Sequence, residues 1–124
     1  MGEKFDRGAA KFEEVIGFAP PAEGPDFLRI TVENLFADVW SREGLGVRDR
    51  RLVTLTVLAV LGKTSSLELH LRQALARKEL GRKELEEVMI HLAHYAGWPV
   101  GQAGFDALVK VLTEMRAARA PKEG

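Results

Sequence analysis

Apolar residues recur along this chain at helical spacing, and glycines and prolines cut the pattern into about six pieces. The breakers are Pro20, Pro21, Gly24 and Pro25, then Gly44 and Gly46, Gly62, Gly81, Gly97 and Pro99. Residues 3–16 carry Phe5, Ala9, Phe12 and Ile16 as a stripe, and residues 26–40 carry Phe27, Ile30, Leu35 and Val39. Residues 49–61 hold Leu52, Val53, Leu55, Val57, Leu58, Val60 and Leu61, with only Thr54 and Thr56 for a polar face. A helix of that kind is expected to be central and buried on most sides. Its β-branched residues also fit a buried strand. No other segment resembles a partner strand, which decides for helix.

Ser65-Ser66-Leu67-Glu68 fits a capping box, with Ser65 as N-cap and Glu68 reaching back, so a fourth helix is expected to start there. Its core stripe is Leu67, Leu71, Ala74 and Leu75. Gly81 separates it from a fifth helix over residues 82–96, with Leu85, Val88, Met89 and Leu92 inward. Ile90 and Ala93 lie off that stripe, so a second face is expected to be covered too. Pro99 suits the first turn of a last helix through Phe105, Leu108, Val109 and Leu112. The expectation is an all-α, single-domain helical bundle over residues 1–124. Residues 1–25 form an N-terminal helix and linker, 26–116 the helical core, and 117–124 a small, charged tail that frays.

At 124 residues and 46% hydrophobic content, the chain can bury a core without staples. It has no cysteine, which excludes disulfides, thiolate metal sites and thiol nucleophiles. Eighteen basic side chains balance eighteen acidic ones, which argues against bulk nucleic-acid binding but not against a local cationic pocket. No segment has membrane-spanning length, and the N-terminus lacks the apolar core of a signal peptide, so a cytoplasmic protein is the default.

Between Val39 and Pro99 lie all three histidines, both tryptophans, the only tyrosine and an arginine cluster. Those are the parts of a cofactor-free acid/base site for a small anionic substrate. Arg48, Arg50 and Arg51 crowd a helix start, where cations oppose the dipole. Either Asp49 and Glu43 compensate them, or an anionic ligand does. Arg51 adjoins the apolar run and is the one expected to point inward. His70 lies on the edge of its helix stripe, with Ser66 one turn earlier. It reads either as a packing residue or as a catalytic one, and no elbow motif supports Ser66 as a nucleophile. His91 and His94 are three apart but lie on different sides of their helix, and no carboxylate completes a metal set. His91 with Tyr95 is the better pair for orientation or proton transfer. Trp40 and Trp98 either wall a pocket or simply pack.

These residues stand in an order that resembles the carboxymuconolactone decarboxylase family, over nearly the whole chain. Phe5-Asp6-Arg7-Gly8 is similar to the family's opening. Val39-Trp40-Ser41-Arg42 with Gly44-Leu45 resembles its Trp-Ser-Arg-Pro-Gly-Leu turn, with Glu43 in place of proline. Arg50-Arg51-Leu52-Val53-Thr54-Leu55 leads into Ala59-Val60-Leu61-Gly62 as the family's central helix does. Glu68-Leu69-His70-Leu71-Arg72, then Glu86-Glu87-Val88 through His91, Tyr95-Ala96-Gly97 and Pro99, resemble its next helix and its closing motif.

The resemblance implies an alkylhydroperoxidase D-like fold that assembles as homo-trimers or homo-hexamers. It also implies cofactor-independent decarboxylation of a carboxylated γ-lactone in aromatic-compound breakdown by the β-ketoadipate route. Relatives in that superfamily carry a Cys-x-x-Cys pair and a glutamate where this chain has Lys63, Ser66 and Arg51, so thiol peroxidase chemistry is closed to it. The expected roles are His70 as proton donor, Arg51 helped by Arg50 as the cation for a carboxylate or the lactone oxygen, and His91 and Tyr95 as orienting groups. Ser66 and Trp40 complete the substrate-binding set. No cofactor, metal, nucleic acid or membrane is expected. Arg51 and His70 are expected to face one enclosed cavity. The competing expectations are another carboxylated lactone or keto acid as substrate, a former peroxidase without its thiols, and a non-enzymatic helical binding module.

Overall fold

The computed structural model describes residues 2–119. All regular structure among them is helical: α1 (Glu3–Ile16), α2 (Asp26–Ile30, continuing as a π-helix over Thr31–Val39), α3 (Val47–Val60), α4 (Thr64–Ala76), α5 (Arg82–Tyr95) and α6 (Trp98–Arg119). The strand alternative for α3 is therefore closed. No helix among the described residues is long and apolar enough to cross a membrane. Residues 117–119, expected to fray, still belong to α6, and residues 120–124 lie outside the described residues.

The chain packs as two compact units that divide after Arg50, inside α3. In the first unit α2 lies along α1. Gly8 makes this possible, because a Cβ there would run into the Val32 carbonyl. The inward face of α1 is Phe5, Gly8 and Val15, with the predicted Ala9, Phe12 and Ile16 half-buried beside it. In α2 the predicted stripe faces out. Phe27 is 83% exposed, and Ile30, Leu35 and Val39 are also exposed, while Val32, Phe36, Ala37 and Trp40 are buried. The later part of this helix winds as a π-helix, with Trp40 N–H bonding Leu35 O at 2.8 Å, five residues back. Val32, Phe36 and Trp40 are four apart and so share a face that ordinary helical spacing also allows, and it is that face which packs against α1. Phe12, Phe36 and Trp40 close this small core, with Phe12 edge-on to Phe36 at 4.9 Å.

The second unit holds the larger core: Leu55 and Ala59 of α3, Leu67, Leu71 and Ala74 of α4, Leu80, then Leu85, Met89 and Leu92 of α5 and Ala107, Leu108 and Val111 of α6. The α5 stripe is as predicted, with Val88 half-buried. Phe105 and Val109 of α6 are exposed instead, and Ala107 and Val111 take their places. Gly101 lets α6 approach α5, since a Cβ there would meet the Ala93 Cβ at 2.5 Å. The expectation that α3 is buried on most sides is corrected. Only Arg51, Leu55 and Ala59 are buried along it, and Val53, Val57 and Val60 are exposed, with Leu61 beyond its end 62% exposed.

The capping box at Ser65 is also corrected. α4 begins at Thr64 with Lys63 as its N-cap, and Glu68 bonds Lys110 at 2.7 Å. Half of such a box appears one helix later, where the Glu84 carboxylate accepts the Gly81 N–H at 3.0 Å while Gly81 has no side chain to return a bond.

Candidate active site

Three residues of the second unit meet in its interior: Arg51 from α3, His70 from α4 and Glu79 from the turn after α4. Arg51 follows directly from its place beside the apolar run. Leu55 and Ala59, four and eight residues on, share its buried face. His70 sits next to Leu71 and three residues after Leu67, so its helix carries it to the edge of the core, where it is buried.

Glu79 arrives by a different device. Lys78 N–H bonds Leu75 O at 3.1 Å and Glu79 N–H bonds Ala74 O at 3.0 Å, the paired bonds of a Schellman motif. Lys78 takes the left-handed conformation such a turn requires, with φ 57°. That position usually belongs to glycine or asparagine. The chain then drops Leu80 into the core and brings the Glu79 side chain under cover.

The contacts are close and directional. Arg51 Nε donates to Glu79 Oε1 at 2.8 Å and Nη2 donates to Oε2 at 3.2 Å, a two-pronged carboxylate pair. Arg51 Nη1 donates to His70 Nδ1 at 2.7 Å. A guanidinium has no acceptor, so Nδ1 must accept and the ring proton of neutral His70 sits on Nε2. Burial, and secondly the Arg51 charge, push the His70 pKa from 6.5 down to about 4. The imidazole is neutral at physiological pH. Arg77 also approaches Glu79, with Nε 3.6 Å from the Oε2 that Arg51 Nη2 reaches.

This geometry alters the expected arrangement. Arg51 and His70 do converge, but in direct contact, so no cavity lies between them. Arg51 is wholly buried and already engaged by a carboxylate. The remaining predicted residues lie elsewhere. Ser66 is exposed in the first turn of α4. His91 and Tyr95 are both exposed and stack on each other, ring centres 4.8 Å apart, with Tyr95 83% exposed. His91 lines a separate hollow of about 310 Å³ with Thr56, Glu87 and Val88. His94 Nδ1 is 2.7 Å from Ile90 O, and no group of three His, Asp or Glu among the described residues is placed to hold a metal. In the first unit Trp40 is a packing residue stacked on Phe36, and Arg50 donates to Leu45 O at 2.9 Å.

Glu79 is the residue that sequence reasoning missed. A carboxylate between Lys78 and Leu80 carries no motif, and a lysine gives no warning of a left-handed turn. The one available signal was the buried Leu80, which has to be reached by a sharp reversal after α4.

Residues 25–110 match the model of the carboxymuconolactone decarboxylase family. That span is most of the chain and holds Arg51, His70 and Glu79. The chain belongs to the carboxymuconolactone decarboxylase family. It is also similar to a curated 4-carboxymuconolactone decarboxylase of Acinetobacter baylyi (strain ATCC 33305 / BD413 / ADP1), at 34% identity over 93 residues, covering 75% of this chain and 69% of that protein. The chain has no cysteine, so no thiol of its own acts beside the Arg51–His70 contact.

Proposed function

We propose that the chain is a cofactor-independent decarboxylase of a carboxylated γ-lactone of the 4-carboxymuconolactone type, acting in aromatic-compound breakdown by the β-ketoadipate route. The observation that carries this reading is the buried His70, held neutral with its proton on Nε2 by Arg51. Family membership and the Acinetobacter relative supply the substrate class.

The chemistry follows from the lactone. The bond between the ring carbon and the carboxylate breaks, carbon dioxide leaves, and the electron pair spreads through the ring double bond to the lactone carbonyl oxygen. One proton from water then adds to ring carbon, so each turnover consumes one proton. The barrier lies in the developing negative oxygen. A neutral imidazole donating Nε2–H to that oxygen stabilises the charge without first having to lose an acidic proton. This revises the expected role of His70: with a pKa near 4 it holds no acidic proton at pH 7, and it serves as a hydrogen-bond donor rather than a general acid. Arg51 then acts on the ring and not on the substrate, because its donors are turned to His70 and Glu79.

Purified protein incubated with 4-carboxymuconolactone and a panel of related carboxylated lactones and keto acids tests the reading, through ultraviolet absorbance and carbon dioxide release. Turnover is expected on the γ-lactone. The variant His70→Gln should lose about 10²- to 10³-fold in kcat, the usual cost of one oxyanion donor. Absence of carbon dioxide release across the panel would remove the enzyme and leave a binding module. We also propose that copies of the chain assemble with one another through apolar surface left exposed on α3.

A further inference from the structure

We infer that Glu79 is a positioning residue that fixes, through Arg51, which ring nitrogen of His70 carries the proton. The inference rests on the reading above for the reaction, but not for the state of the ring.

A guanidinium is planar and rigid, so two of its nitrogens determine where the third points. Glu79 takes Nε and Nη2 at 2.8 and 3.2 Å, along one edge of the plane. Nη1 is then directed at His70 Nδ1, 2.7 Å away. The carboxylate also balances the Arg51 charge in a place shielded from water, which lets a cation sit beside an imidazole that must stay neutral. The three groups make a line from carboxylate to guanidinium to imidazole, and its output is a single tautomer with Nε2–H.

Glu79 is held for this by its own turn. The Schellman bonds fix its backbone, and Lys78 accepts a left-handed conformation to complete them. A surface carboxylate would need no such placement. Non-glycine residues in this conformation carry strain that the surrounding structure must sustain.

The test reads the ring directly. Nitrogen-15 NMR of the full-length protein at pH 7 distinguishes protonated from unprotonated ring nitrogens, and the H70Q variant identifies the His70 signals among three histidines. In the wild type His70 should be wholly the Nε2–H tautomer. In Glu79→Gln the released guanidinium should leave both tautomers populated, with kcat down at least about tenfold and KM within about twofold. The double variant R51M/E79Q buries no unpaired charge and so offers a fold when the single variant lacks one. His70 should again show both tautomers there.

A single Nε2–H tautomer persisting in E79Q, or in the double variant, overturns the inference, since the ring would then be set by something else. A wild type that releases no carbon dioxide, yet shows the tautomer lost on Glu79→Gln, would end the decarboxylase reading and uphold the positioning role. Wild-type turnover with an unchanged E79Q ring would do the reverse.

Discussion

His70 is where protonation and stability meet. In the unfolded chain its pKa is the ordinary 6.5, and in the fold it is pushed down to about 4, by burial first and by Arg51 second. The native state therefore refuses a proton that the unfolded chain accepts. Stability present above pH 6.5 is lost progressively as the pH falls toward 4. The loss from this one group is about 3 kcal/mol. Urea unfolding of the wild type between pH 4 and 7 should show it, and H70Q should show a flatter dependence over the same window. An equal slope in both proteins would mean that other groups carry the acid sensitivity.

The turn after α4 decides the site at the level of the element. Sequence pattern placed α4 and α5 and put a break near Gly81, but a break does not say how the chain reverses. The Schellman motif does, and it uses Lys78 where glycine is usual. Left-handed backbone costs an L-residue about 1–2 kcal/mol, against about 0.5–1 kcal/mol of extra unfolded-state entropy for glycine. Lys78→Gly should therefore raise stability by about 0.5–1 kcal/mol, read as a higher urea midpoint at unchanged slope. Because the turn is kept, the His70 tautomer should not change. A destabilised K78G would mean that the lysine side chain contributes more than its backbone costs. α2 teaches a related lesson: it offers two apolar sets, Phe27, Ile30, Leu35 and Val39 or Val32, Phe36 and Trp40, and packing against α1 buries the second.

At the level of the whole molecule, the exposed apolar residues matter most. Val53, Val57, Val60 and Leu61 follow one another along and just past α3, and a contiguous patch of this kind commonly marks an interaction surface. The helix expected to be buried on most sides is buried on one within a single copy. The proposal that further copies cover it predicts a mass that is a multiple of the chain's in sedimentation equilibrium at micromolar concentration. A charged replacement, Val57→Glu, should lower that mass while leaving the helical circular dichroism intact. A monomeric wild type would end the assembly proposal.

The sequence by itself determined the helical class, most helix boundaries, the stripe of α5, the lack of a thiol and the inward placing of Arg51. All of these depend on local periodicity, on residue type or on neighbours along one helix. Tertiary structure alone decided that Arg51 is met by Glu79, that the imidazole is neutral, and which face of α2 turns inward. Those outcomes depend on groups far apart in the chain, which no pattern of apolar and polar letters encodes. A carboxylate 28 positions from its arginine becomes its partner only when a turn delivers it there.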